Sequence, residues 1–189
     1  MARKGLSKEK VMEEAIEFIE EEGFKNFSIR ELAARLNIKA ASLYNYIDSM
    51  DELNRDIALK ASSKLKKIQE EAILGKQRDE ALIALAMAYR KFVLTRPQLY
   101  KVIMQLPYLE AQKFIDTGGE IIEPLMSVLA MYKLNDIKRM QYQRILRSII
   151  HGFADLEAAG YFAHFPVNND ESYQLAINGI IRDIKTFEE

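Results

Sequence analysis

Lys39, Ala40, Ala41, Ser42, Tyr44, Asn45 and Tyr46 surround a single leucine, Leu43, in a run where every other side chain is short, polar or able to reach an anion. This set suits the reading of a nucleic-acid groove better than it suits catalysis. Small side chains at Ala40 and Ala41 permit close approach and can meet a thymine methyl, and Asn45 can pair bidentately with an adenine edge. Tyr44 and Tyr46 can donate to phosphates, which positions a protein without reading sequence. Upstream, Ser28 and Arg30 open a helix whose backbone N–H groups favour a phosphate, and Lys25 adds a salt-sensitive attraction. The plainer reading of each residue is an ordinary capped, solvated helix.

The elements that must hold this run are short helices. Ser7 is an N-cap candidate, and Val11, Met12, Ala15, Ile16 and Ile19 recur at helical spacing up to Gly23. Ser28, Ile29, Arg30 and Glu31 form a capping box that opens a helix with Leu32, Ala33 and Leu36 on its buried face. The pattern breaks at Asn37 and Ile38 and resumes with Leu43 and Ile47, which is helix-turn-helix spacing. A second box, Ser49 to Glu52, starts a longer helix that ends at Gly75. Beyond it the pattern predicts helices over 77–95, 97–106, 117–132, 136–159 and 170–188, with a kink or restart at Pro124 and a surface loop over 160–170.

Other chemistry finds little support. His151 and His164 are not at metal-ligand spacing, no H-E-x-x-H pattern or phosphate-binding glycine loop occurs, and Gly118-Gly119 lacks a following lysine. No catalytic or metal site is expected, and no cofactor. The 189 residues contain no cysteine, and their most apolar stretch, Ala81 to Ala88, is too short to span a bilayer, so a cytoplasmic protein is expected. The net charge of −1 means that any nucleic-acid footprint must be local. Residues 1–10 carry Arg3, Lys4, Lys8 and Lys10 against Glu9, and residues 25–47 carry Lys25, Arg30, Arg35 and Lys39 against Glu31. Between them lies an acidic block, Glu13, Glu14, Glu17, Glu20, Glu21 and Glu22, which is expected to face elsewhere.

Residues 6 to 53 resemble the DNA-binding domain of the TetR family of bacterial regulators. The match runs through Leu6-Ser7, Gly23-Phe24, Phe27 to Ala33, Leu36-Asn37-Ile38, Ser42 to Ile47 and Glu52-Leu53. Three positions depart from the family pattern: Asn37 replaces a glycine, Ile47 a phenylalanine, and Met50 a lysine that usually meets phosphate. The segment Ile150-His151-Gly152-Phe153 with Leu156 to Phe162 resembles the WHG subgroup of TetR-type C-terminal domains, with Ile150 in place of the tryptophan. Arg96-Pro97 with Leu99-Tyr100 suits the same subgroup.

Tyr89, Phe92, Tyr100, Met104, Phe114, Met126, Tyr132 and Tyr142 are spread over the middle helices, and His151 follows. By default they are core. Methionine also adapts to irregular cavities and tyrosine offers a hydroxyl at an apolar wall, so all of these but Tyr132 are candidates to line a pocket for a small apolar or amphipathic effector. The last two helices carry more apolar surface than one face needs. The resemblance implies a homodimer through a four-helix bundle of these helices, with Ile149, Gly152, Leu156, Tyr173, Ile177, Ile180, Ile181 and Ile184 as interface candidates.

The expectation is therefore an all-α chain: a three-helix DNA-binding domain over 1–50, a connecting helix over 51–75, and an effector-binding and dimerisation domain over 76–189. The function expected is that of a ligand-responsive repressor on a palindromic double-stranded operator. An activator of the same family, or a helical scaffold protein without sequence-specific DNA binding, is the alternative.

Overall fold

The structure is a computed structural model that describes residues 5–105 and 114–188, the side chains of 114–121 excepted. Among the described residues there are nine α-helices and no strand. The chain divides into two compact units, one of Met1–Ser63 with Arg96–Ile115 and one of Lys64–Thr95 with Asp116–Glu189.

In the N-terminal unit, α1 spans Lys8–Glu22, α2 Ile29–Arg35 and α3 Ala40–Leu43, and α4, Met50–Ile73, contributes its first half. The predicted serines act as caps. Ser7 Oγ accepts from the Lys10 N–H at 3.3 Å, Ser28 Oγ from Glu31 at 3.3 Å and Ser49 Oγ from Glu52 at 3.0 Å, each satisfying an orphan donor of a first turn. The Glu52 carboxylate lies 3.4 Å from Lys8 Nζ. Val11, Ala15, Ile19, Leu32, Leu43, Ile47, Leu53 and Ile57 form the buried core. The helix at Pro97, counted from the sequence with the C-terminal part, belongs to this unit as α6, Pro97–Ile103, and packs against α1.

The C-terminal unit holds the second half of α4, α5, Arg78–Thr95, nearly all of α7, Phe114–Leu129, α8, Asp136–Ala158, and α9, Asn169–Thr186. Its core joins Leu82, Leu85, Val128, Leu129, Leu146 and Ile150 to Tyr173, Ile177, Ile181 and Ile184. Of the kink or restart expected at Pro124, the restart does not occur, and α7 runs through it as one helix. Proline removes one N–H donor from the helix, and burial of Leu125, Val128 and Leu129 around it offsets that loss.

One ionic cluster ties three of these helices together. Arg90 on α5 has a side chain only 6% exposed. It grips Glu157 of α8 through two bonds, Nε to Oε2 at 2.5 Å and Nη2 to Oε1 at 2.7 Å, and donates to Asp170 of α9 at 2.7 Å. Its guanidinium also lies 5.2 Å from the Tyr173 ring centre. The hydrogen bonds from Arg90 hold the Glu157 carboxyl below its usual value of about 4.5. Such a group contributes stability that is complete above that pH and is lost as the pH falls through the lowered folded value.

Removing one partner from a buried pair strands the other charge, so Arg90→Met is expected to cost about 3 kcal/mol in urea unfolding at pH 7. The native chain is expected to lose stability as the pH falls below about 4.5, and Glu157→Gln to flatten that loss in urea unfolding at several pH values.

Candidate nucleic-acid interface

The α2–α3 corner is built from a turn and two anchors. Asn37 sits at φ 53°, the left-handed region where asparagine is tolerated and glycine is freest, which fits its place in the turn. Leu43 and Ile47, four residues apart, are 0% and 4% exposed and fasten α3 to the core beside α2. With those two turned inward, Lys39, Ala41, Tyr44 and Asn45 are exposed and Ala40 and Ser42 half-buried. Tyr44 is the most prominent, at 56% exposure. Lys25, in a short 3-10 turn over Phe24–Asn26, and Arg30 are exposed as well, while Ser28 is half-buried with its oxygen engaged as the cap. Arg3 and Lys4 lie outside the described residues.

Tyr46 departs from the phosphate-donor role expected of it. Its hydroxyl is buried with no hydrogen-bond partner among the described residues. The segment leaves α3 in a tight turn, in which the Tyr46 N–H bonds the Leu43 carbonyl at 2.8 Å and the Asn45 N–H the Ser42 carbonyl at 3.3 Å.

Arg35 is also withdrawn from the basic surface. Its guanidinium bonds Glu14, lies 2.7 Å from Glu21 and reaches 4.0 Å from Glu17, all on α1. Arg96 of α6 likewise bonds Glu20. Four of the six carboxylates of the acidic block thus lie against two arginines, on the side of α1 that meets its neighbours. Sequence reasoning counted Arg35 with the phosphate-facing charge; the spacing of Glu14, Glu17 and Glu21 on one helix face was the available signal.

The effector candidates fall in both units. Tyr100, buried, and Met104, half-buried, belong to the N-terminal unit, and Phe92, Tyr89, Met126, Tyr142 and His151 to the C-terminal one. Phe114 opens α7, and its side chain lies outside the described residues. Tyr142 donates to Asp183 at 2.7 Å, and burial raises its hydroxyl pKa, so it stays protonated. A cavity in the C-terminal unit is lined by other residues: Ile83, Met87, Tyr173, Gln174, Ile177 and Asn178. The i, i+4 spacing of these pairs could have marked them.

The dimer candidates separate by face. Tyr173, Ile177, Ile181 and Ile184 are buried in the protomer's own core and have little area left for a second chain. Ile149 and Gly152 are half-buried and Leu156 exposed; with exposed Ile145 they make one stripe at 4-3-4 spacing on α8. A Cβ built at Gly152 meets nothing within 4 Å. On α9, Leu175 is exposed and Ala176, Gly179 and Ile180 are half-buried.

A capped helix followed across a tight turn by a short second helix, joined to a separate helical unit, is the architecture of a helix-turn-helix transcription regulator. Residues 11–57 match the model for bacterial regulatory proteins of the tetR family, and residues 82–180 match the tetracyclin repressor-like C-terminal domain. The chain belongs to the TetR family of transcriptional regulators. It is 28% identical to the uncharacterized HTH-type transcriptional regulator Rv0681 of Mycobacterium tuberculosis, covering 82% of this chain and 72% of that one. To YobS of Bacillus subtilis, another uncharacterized regulator of this type, it is 26% identical, covering 85% and 83%. A solved protein of unknown function from Rhodococcus shares the fold with a TM-score of 0.81 at 19% identity over 95% of each chain. BioQ, solved with its double-stranded DNA operator, shares it with a TM-score of 0.67 at 18% identity over 93% of this chain and 98% of that one. Among the described residues no helix is long and apolar enough to cross a membrane.

Asn37→Ala is expected to destabilise the N-terminal unit by about 1 kcal/mol, the cost of a Cβ in left-handed backbone, whereas Asn37→Gly stays within about that margin of the native chain. Urea unfolding of both variants checks it.

Proposed function

We propose that the chain is a repressor that binds a palindromic double-stranded operator as a homodimer and is released by a small effector bound in the C-terminal unit. The observation that carries the DNA-reading part is the single-sided corner at α3: Leu43 and Ile47 are spent on the core, leaving Lys39, Ala41, Tyr44 and Asn45 on the outer face. Lys39 and Tyr44 serve as phosphate contacts and Asn45 and the two alanines as base contacts, with Lys25, Ser28 and Arg30 supporting register from α2 and its preceding turn. BioQ, which shares the fold, is bound to its operator in its own structure. The stripe of Ile145, Ile149, Gly152 and Leu156 supports a two-fold pairing of α8 with its symmetry mate, and two-fold symmetry is what a palindrome requires. Two recognition helices about 34–36 Å apart then enter successive major grooves. For an effector to release DNA it must bind the DNA-incompetent arrangement more tightly.

Selection of bound duplexes from a random pool is the direct test: a recovered palindrome supports the reading, and no preference for any duplex over competitor refutes it. On the selected duplex, Tyr44→Ala is expected to weaken binding by about ten-fold or more. Lys39→Ala should weaken all duplexes alike and reduce the salt slope by about 1 per subunit. Leu156→Glu is expected to shift the chain to monomer in analytical ultracentrifugation while its helical circular dichroism is retained.

A further inference from the structure

α5 and α9 leave between them a cavity of about 190 Å³ whose lining divides by chemistry. Tyr173 and Ile177, one turn apart on α9, are buried and form an apolar floor. Ile83 and Met87, one turn apart on α5, are half-buried and form the wall. Gln174 and Asn178, again one turn apart, are exposed and place two carboxamides at the mouth. Each carboxamide offers both donors and an acceptor.

The lining holds no formal charge. Its one ionisable group is the Tyr173 hydroxyl, which burial keeps protonated and which donates to the Ala86 carbonyl at 2.8 Å. The nearby guanidinium of Arg90 is matched by Glu157 and Asp170. A charged guest would therefore lose hydration without gaining a counter-ion. Size narrows the guest further. An apolar cavity of about 150 Å³ accepts benzene, whereas drug-sized ligands occupy about 300 Å³ or more. Met87 adds a flexible, polarisable surface suited to a ring. At 100° per residue, Gln174 and Asn178 lie on the opposite side of α9 from Ala176, Gly179 and Ile180, so a partner on that apolar face leaves the mouth open.

We propose that this cavity binds an uncharged single-ring organic molecule with one carbonyl, amide or hydroxyl group, its ring on Tyr173 and Ile177 and its polar group at Gln174 and Asn178. That this guest is the effector rests on the proposed function above; that the cavity binds it does not.

Benzamide, benzoate and benzylamine, matched in size and differing in charge, test the site by titration calorimetry on the full-length protein. Benzamide is expected to bind at least ten-fold more tightly than either ion, and Met87→Trp, which fills the cavity, to abolish binding. Gln174→Leu with Asn178→Leu changes only exposed residues, so the fold is retained. It should weaken benzamide about ten-fold and leave toluene unchanged. Equal binding of the three probes, or benzamide binding unaltered by both sets of substitutions, overturns the proposal. Benzamide bound in the native protein with operator affinity unchanged upholds the site and refutes its assignment as the effector site.

Discussion

Burial of Leu43 and Ile47 is the constraint on which the proposed DNA-reading surface depends. A helix of four residues, Ala40–Leu43, does not sustain itself in water, because nucleation costs more than so few hydrogen bonds return. Two fully buried aliphatic side chains contribute about 1.5–3 kcal/mol each, enough to hold the segment against α2. Once they point inward, the rotation of α3 is settled. Tyr44 and Asn45 follow outward as a geometric consequence, and the left-handed turn at Asn37 sets the direction in which the segment leaves α2.

Electrostatics supports that surface indirectly. In a chain of net charge −1, Lys25, Arg30 and Lys39 are exposed near the corner while Glu14, Glu20 and Glu21 of α1 are engaged by Arg35 and Arg96. The same pairs bind α1 to α2 and to α6, so one set of contacts both screens the acidic block and braces the unit. In the C-terminal unit the Arg90 cluster has the corresponding role in a drier setting. It joins α5, α8 and α9, and by stacking on Tyr173 it supports the floor of the cavity from behind.

The chain passes between its two units at 63/64, 95/96 and 115/116. The first crossing lies inside α4, a continuous helix, and the second leads α5 directly into α6, which packs on α1.

Local chemistry was legible in the sequence: serine caps, apolar periodicity and the break at Asn37 depend on residues a few positions apart, and from them came the α-helical class, the corner and most of its outer face. Tertiary packing decided what local pattern leaves open. The Tyr46 hydroxyl was taken into the interior, and Arg35 was claimed by Glu14 and Glu21 from the preceding helix. Periodicity shows that α9 has an apolar face, yet only packing against α5 and α8 chose Tyr173, Ile177, Ile181 and Ile184 for the interior and left Leu175 outside. The cavity belongs to the same category, since its volume arises from the spacing of two helices and no single segment encodes it.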